Sequence, residues 1–298
     1  MIPVVLALAV AVLVGFIAFE RRLGRAGRDP LIQLADLRYP TYRYGLVTAL
    51  IVSMGQLGLS FVLPVFLQDA KHLTAATNGL WMLPNGLCVI AGSQLGGRLI
   101  NRFGPTTVVR IGLLAYTVGI LVIVHAVTLD ITVWRLLPGF ALYGIGIGFA
   151  GAQLTNVILA EIPLESTGVA GGTNSTVRQV GSALGVSIIG SLLAVQTVRS
   201  TTSAIRRADL PARVKAAALD GIHASGTGYV PGRSSHAGAL RSIIEHGVTS
   251  GARWALLFTA AVLGIGTIVS FLIPDLGRPG ATSSVVVPDG VEPDLGGA

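Results

Sequence analysis

Long apolar runs alternate with short polar links over most of the chain. A helix needs about 20 apolar residues to cross a hydrocarbon core of about 30 Å. Seven runs reach roughly that length, at 1–19, 44–67, 79–100, 111–127, 133–160, 180–198 and 254–273. The pattern predicts an all-α integral membrane protein with seven transmembrane helices. A cytoplasmic basic link fills 20–43, transmembrane helices two to six fall within 44–198, and a polar extracytoplasmic loop takes 199–253. The tail, 274–298, is rich in Gly, Pro and Asp, the composition of a disordered cytoplasmic segment. Apolar and basic residues alternate between Ile205 and Leu219, which predicts an amphipathic helix lying on the surface. The first run lacks the basic n-region of a secretory signal and reads as a spanning helix.

The stretch 136–193 reads as a membrane hairpin of two glycine-laced runs. Gly144, Gly148, Gly151 and Thr155 share one helix face, where another backbone can approach closely, and Gly181 and Gly185 repeat the device. The polar turn between them carries Glu161, Pro163, Glu165, Asn174, Arg178 and Gln179. Arg178 stands where the sixth span enters the membrane, positioned to reach headgroups or to pair with Glu161 or Glu165. Structural pairing is favoured over substrate contact, because charges at helix ends stay hydrated.

Polar residues inside the other spans are few. Ser53, Gln56 and Ser60 form one stripe down the second span, facing protein or a water-filled cavity, and the fifth carries Gln153 and Asn156. Gln56 fits substrate lining and interhelical hydrogen bonding equally well. The fourth and seventh spans are bare.

Composition agrees: 52% hydrophobic and 12% charged residues with a mean hydropathy of +0.73 exclude an ordinary soluble domain. The net charge of +7 is first a topology signal. Arg21, Arg22, Arg25, Arg28, Arg38, Arg43, Arg98, Arg102, Arg110 and Arg178 fall in links on one side, against Lys71 alone in the short links on the other. By the positive-inside rule the N-terminus is outside and the C-terminus cytoplasmic; the basic residues of 199–253 are tolerated because long loops obey the rule less strictly.

Candidate chemistry is sparse. No basic run interleaves with aromatics, so no nucleic acid is expected. Cys88 lies in an apolar run and reads as a small buried hydrophobe. His72, His125, His223, His236 and His246 are scattered, with no metal spacing and no nucleophile elbow, so no metal, no cofactor and no enzyme are expected. Gly146-x-Gly148-x-x-Gly151 matches a dinucleotide fingerprint, but its apolar setting without a preceding strand makes it a helix-packing feature.

Several motifs combine. They are Gly58-x-x-Phe61-x-Leu63-Pro64-x-Phe66-Leu67-Gln68, then Gly79-Leu80-x-x-Leu83-Pro84, then the turn Gly97-Arg98-Leu99-x-Asn101-Arg102-x-Gly104-Pro105. Leu137-Pro138-Gly139 to Gly185, with Pro163-x-Glu165 and Asn174-x-x-x-Arg178-Gln179, continues the series. Together they resemble the C-terminal half of a major facilitator superfamily transporter of the fourteen-span drug:proton antiporter branch. The resemblance implies that the 97–104 turn is part of the gate, with Asn101 standing where the better-known motif has an aspartate. It implies that the second and fifth spans line the cavity, the third and sixth meet the other half, and the fourth and seventh face lipid.

The function so implied is proton-coupled efflux of drugs or other amphipathic small molecules by alternating access in the cell membrane, a route to antibiotic resistance. The expected partners are the lipid bilayer, the substrate, protons and an N-terminal half, on the same longer chain or a separate one. No Asp or Glu lies mid-span, so the coupling carboxylate is expected in that other half. The competing reading is a non-transporting seven-helix protein acting as a partner-binding or oligomeric subunit.

Overall fold

The computed structural model describes residue 15, residues 34–225 and residues 236–276. The first predicted span, most of the basic link, part of the long loop and nearly all of the tail lie outside the described residues. Regular structure among the described residues is helical throughout. After a 3-10 turn at Leu34–Arg38 come α1 (Pro40–Asp69), α2 (Ala75–Phe103), α3 (Pro105–Ala126) and α4 (Val133–Leu159). A second 3-10 turn, Leu164–Ser166, leads to α5 (Thr167–Arg207), α6 (Ala212–Ser225) and α7 (Ala237–Ser270).

Local chemistry marks the helix ends. Pro40 opens α1, where its missing N–H costs nothing. Thr74 caps α2 by accepting from the Thr77 N–H at 3.2 Å. Gly104 ends α2 at φ 80°, a backbone region that favours glycine. Its N–H reaches the Ile100 carbonyl at 2.8 Å, and Pro105 starts α3 at once.

Packing divides the six long helices into two interlocked triplets. α1 packs on α5 and α7, α4 packs on α2 and α3, and the contacts α1–α4 and α3–α7 join the two groups. Neighbour positions give the directions. Gly181 and Gly185 of α5 meet Leu50 and Met54 of α1, a parallel pair, while Gly55 of α1 meets Leu263 and Gly58 meets Thr259 of α7, an antiparallel one. In the other triplet, Gly144 and Gly148 of α4 run parallel to α2 past Asn85 and Ser93, and Gly146 lies antiparallel beside Tyr116 of α3. The helices α1, α2, α3 are thus repeated in arrangement by α4, α5, α7, with the first helix of each set packed into the other. A continuous core of buried side chains, including Phe66, Tyr116, Phe140 and Leu263, runs through both triplets.

The structure changes three expectations. First, α5 spans 41 residues, where the polar turn 161–178 and the span 180–198 were expected as separate pieces. Its small polar residues are accommodated within the helix, their hydroxyls satisfied by its own carbonyls, as Thr173 bonds Val169 at 3.0 Å and Thr176 bonds Gly172 at 3.0 Å. Second, α7 begins at Ala237, well inside the expected loop, and α6 turns apolar side chains onto its neighbouring helices. Ile205, Ala218, Ile222 and Leu240 bury one another, so α6 covers the extended ends of α5 and α7. Third, α1, α3, α4, α5 and α7 are long and apolar enough to cross a membrane, but α2 is not among them. Asn78, Asn85, Gln94, Arg98, Asn101 and Arg102 dilute its hydropathy.

Candidate functional site

α1 and α4 meet between the two triplets, and several polar residues of the bundle lie on them. Gln56 and Ser60 are exposed on α1, where Ser60 donates to the Gln56 carbonyl at 3.2 Å. Asn156 is exposed on α4 and donates to the Gln153 side chain at 3.0 Å. Tyr143 Oη reaches the Gln56 carbonyl from α4 at 3.4 Å, and the Tyr143 ring stands edge-on to Tyr116 with centroids 4.8 Å apart. Two residues expected on this surface are interior: Ser53 is 4% exposed and Gln153 5%. The stripe alternates this way because α1 turns one face to α4 and α7 and leaves only the side of Gln56 and Ser60 open.

A second polar knot lies where α4 meets α5. Arg178 donates to Asn174 Oδ1 at 3.4 Å and to Thr155 Oγ1 at 3.3 Å, and Asn174 Nδ2 reaches Thr155 at 3.4 Å. The expected pairing with Glu161 or Glu165 is not made. Glu165 is exposed, and Glu161 Oε2 accepts from Thr41 Oγ1 at 2.6 Å and from the Thr41 N–H at 3.4 Å. The reason is local: α1 has no side-chain cap of its own, and its N-terminal N–H groups attract a carboxylate. Gln179, next to Arg178, is exposed.

The glycine motifs divide as well. A Cβ on Gly148 would sit 2.5 Å from the Ser93 nitrogen and 2.6 Å from the Gly92 carbonyl carbon, and one on Gly144 would sit 2.9 Å from the Asn85 oxygen. Gly181 and Gly185 press against the Leu50 and Met54 carbonyls. Gly151, expected on the same packing face, meets nothing within 4 Å.

In the 97–104 turn, Gly97, Arg98, Asn101 and Arg102 are all exposed, and the Arg102 guanidinium lies 5.5 Å from the centre of the Phe103 ring. Gly104 supplies the turn itself.

Sequence reasoning missed several ties at the helix ends. Arg110 of α3 donates to the Ile273 carbonyl at 2.7 Å, closing the end of α7. Lys71 and Arg253 donate to the Leu129 and Val127 carbonyls, each at 2.7 Å, and clamp the α3–α4 link. His72 holds Glu245 of α7 at 2.8 Å, and Arg241 bonds the same carboxylate at 3.2 Å. Backbone acceptors carry no signature in a sequence, and the His72–Glu245 contact joins residues far apart in the chain, so none of these was visible there.

Two three-helix sets of opposite direction, joined through α1 and α4 with polar groups open on both, define a transporter-type membrane bundle built from inverted repeats. The chain belongs to the Major Facilitator Superfamily, whose family model matches residues 1–186. It is 33% identical over 186 residues to the probable actinorhodin transporter of Streptomyces coelicolor, covering 61% of this chain and 32% of that protein. It is 30% identical over 270 residues to the tetracenomycin C resistance and export protein of Streptomyces glaucescens, covering 88% and 49%. With the multidrug resistance protein Stp of Mycobacterium tuberculosis it shares 28% identity over 257 residues, covering 84% and 47%. The chain thus spans between about a third and a half of the length of these relatives. It is a multi-pass protein of the cell membrane.

Proposed function

We propose that the chain is the C-terminal half of a proton-coupled exporter of drugs or similar amphipathic molecules, working by alternating access. The observation that carries this reading is the placement of Gln56, Ser60 and Asn156, polar and exposed on the two helices that join the triplets. A cavity of mostly apolar surface with a few polar groups suits ligands of varied shape. The names of the relatives, which concern transport of or resistance to antibiotics, support the substrate class.

The missing walls belong to an N-terminal half, on the same longer chain or a separate one. Leu80, Leu83, Leu87 and Ile90 form an exposed apolar stripe on α2, and Val180, Leu184 and Val195 are exposed on α5; these faces suit contact with that half. The turn from Gly97 to Gly104 would then help form the gate. Asp36, in the turn before α1, is the one buried carboxylate among the described residues. The coupling acid is therefore assigned to the other half.

The test is co-expression with an N-terminal half in cells lacking their own exporters, following extrusion of a fluorescent amphipathic dye. Extrusion should require both halves and collapse with a protonophore. No extrusion from two folded halves would remove the transport reading, and extrusion indifferent to the protonophore would remove proton coupling.

A further inference from the structure

Where α3 ends and α4 begins lies a recess that the transport reading does not use. A cavity of about 420 Å³ is lined by Val122, His125, Ala126, Thr128, Arg135 and Arg253. Two arginines and a histidine face it, and no carboxylate does. Arg253 spends Nε on the Val127 carbonyl, which fixes the guanidinium beside the α3–α4 link. Its terminal nitrogens, and all those of Arg135, carry no hydrogen bond or ion pair among the described residues. Thr128 Oγ1 is shut off from solvent and has no partner. Lys71, bonded to the Leu129 carbonyl, adds a third permanent cation beside the same link. Asp130, the link's own acid, is exposed and pairs with neither arginine.

Free guanidinium donors with no competing carboxylate suit the oxygens of a phosphate. The surroundings say what the phosphate is attached to. On α3, Leu114, Val118 and Leu121 are exposed at the helical spacing that ends at His125, and on α7 Leu257, Ile265 and Ile268 are exposed below Arg253. The two helices touch, Thr117 Oγ1 lying 3.1 Å from Thr267 Oγ1, so the stripes border one apolar furrow that leads into the cationic recess. Trp134 and Trp254, both exposed, adjoin the two arginines in sequence, as suits the headgroup level.

We infer that the recess binds the phosphate of an anionic phospholipid whose acyl chains lie in the furrow between α3 and α7. The recess holds one lipid at the rim of the bundle, away from the surface of Gln56 and Asn156.

The test uses the full chain carrying Trp81→Phe, which leaves Trp134 and Trp254 as reporters. It is reconstituted in phosphatidylcholine bilayers with a minor fraction of phosphatidylglycerol brominated near the top of its chains. Tryptophan quenching is compared with that from brominated phosphatidylcholine at the same fraction. The anionic lipid should be enriched about five-fold, roughly what one arginine contributes near a membrane surface. Arg135→Gln should lower that preference while quenching by phosphatidylcholine stays unchanged, and Arg213→Gln, an exposed cation on α6, should leave it intact. Equal quenching by the two lipids overturns the inference, as does a preference that survives Arg135→Gln or falls equally with Arg213→Gln. Inorganic phosphate at matched ionic strength should not compete; if it abolishes the preference, the recess takes a soluble anion and the lipid assignment fails.

Discussion

Thr41, in the first turn of α1, gives its hydroxyl to the carboxylate of Glu161, beyond the end of α4, at 2.6 Å. The carboxylate thereby caps a helix that begins 120 residues earlier in the chain. Replacing a helix-capping group typically costs about 1 kcal/mol. Thr41→Val and Glu161→Ala should each lower the melting temperature of the purified protein, and the double variant should lose little more than either alone. Fully additive losses would mean the two residues act separately.

The parallel contacts of α4 on α2 and of α5 on α1 depend on glycines that meet backbone atoms. Gly148→Leu and Gly185→Leu should therefore reduce the yield of folded protein sharply, since backbone cannot yield as a side chain does. Gly151→Leu should fold normally, because that position opens into free space. Equal yields for all three, measured by size-exclusion of detergent-solubilised protein, would contradict the packing described.

Arg178 joins α4 to α5 through neutral partners. Hydrogen bonds between membrane helices average about 0.6 kcal/mol in coupling energy, and these are long. Arg178→Ala and Thr155→Val should show a coupling of that size in a thermal-unfolding cycle, whereas Arg178→Ala with Glu161→Ala should show none. A large coupling to Glu161 would restore the ion pair that the geometry lacks.

The polar residues of α1 and α4 separate into open and enclosed ones. In the assembled exporter, Gln56→Ala and Asn156→Ala should change which substrates are extruded, with expression intact. Ser53→Ala should leave the profile alone, since Ser53 is enclosed. Identical profiles for all three, from growth-inhibition panels, would take the open residues out of the cavity.

How far the fold was legible follows from what a hydropathy pattern encodes. Membrane helices need apolar length, so the six later helices stood out as apolar runs, α2 less strongly than the rest, and Gly104-Pro105 marked a turn through backbone chemistry alone. Helix continuity through Gly168 to Arg178 was not legible, because hydroxyls bonding back to their own helix look like a polar loop. The same limit misplaced Ser53: the period gives a helix face, and only the neighbouring helices decide whether that face is open. Glu161 was noticed as an acid near Arg178, but its choice of Thr41 depended on an uncapped helix end brought close by the fold.

At 41 residues, α5 is a rod of about 60 Å, and no proline interrupts it. One end carries Arg178 in the bundle, and the other, at Ile205, carries α6. Over such a length, turning one end by about 5° moves the far end by about 5 Å. The cap that α6 forms with the start of α7 therefore sits where a small tilt of α5 at its α4 contact would produce the largest displacement.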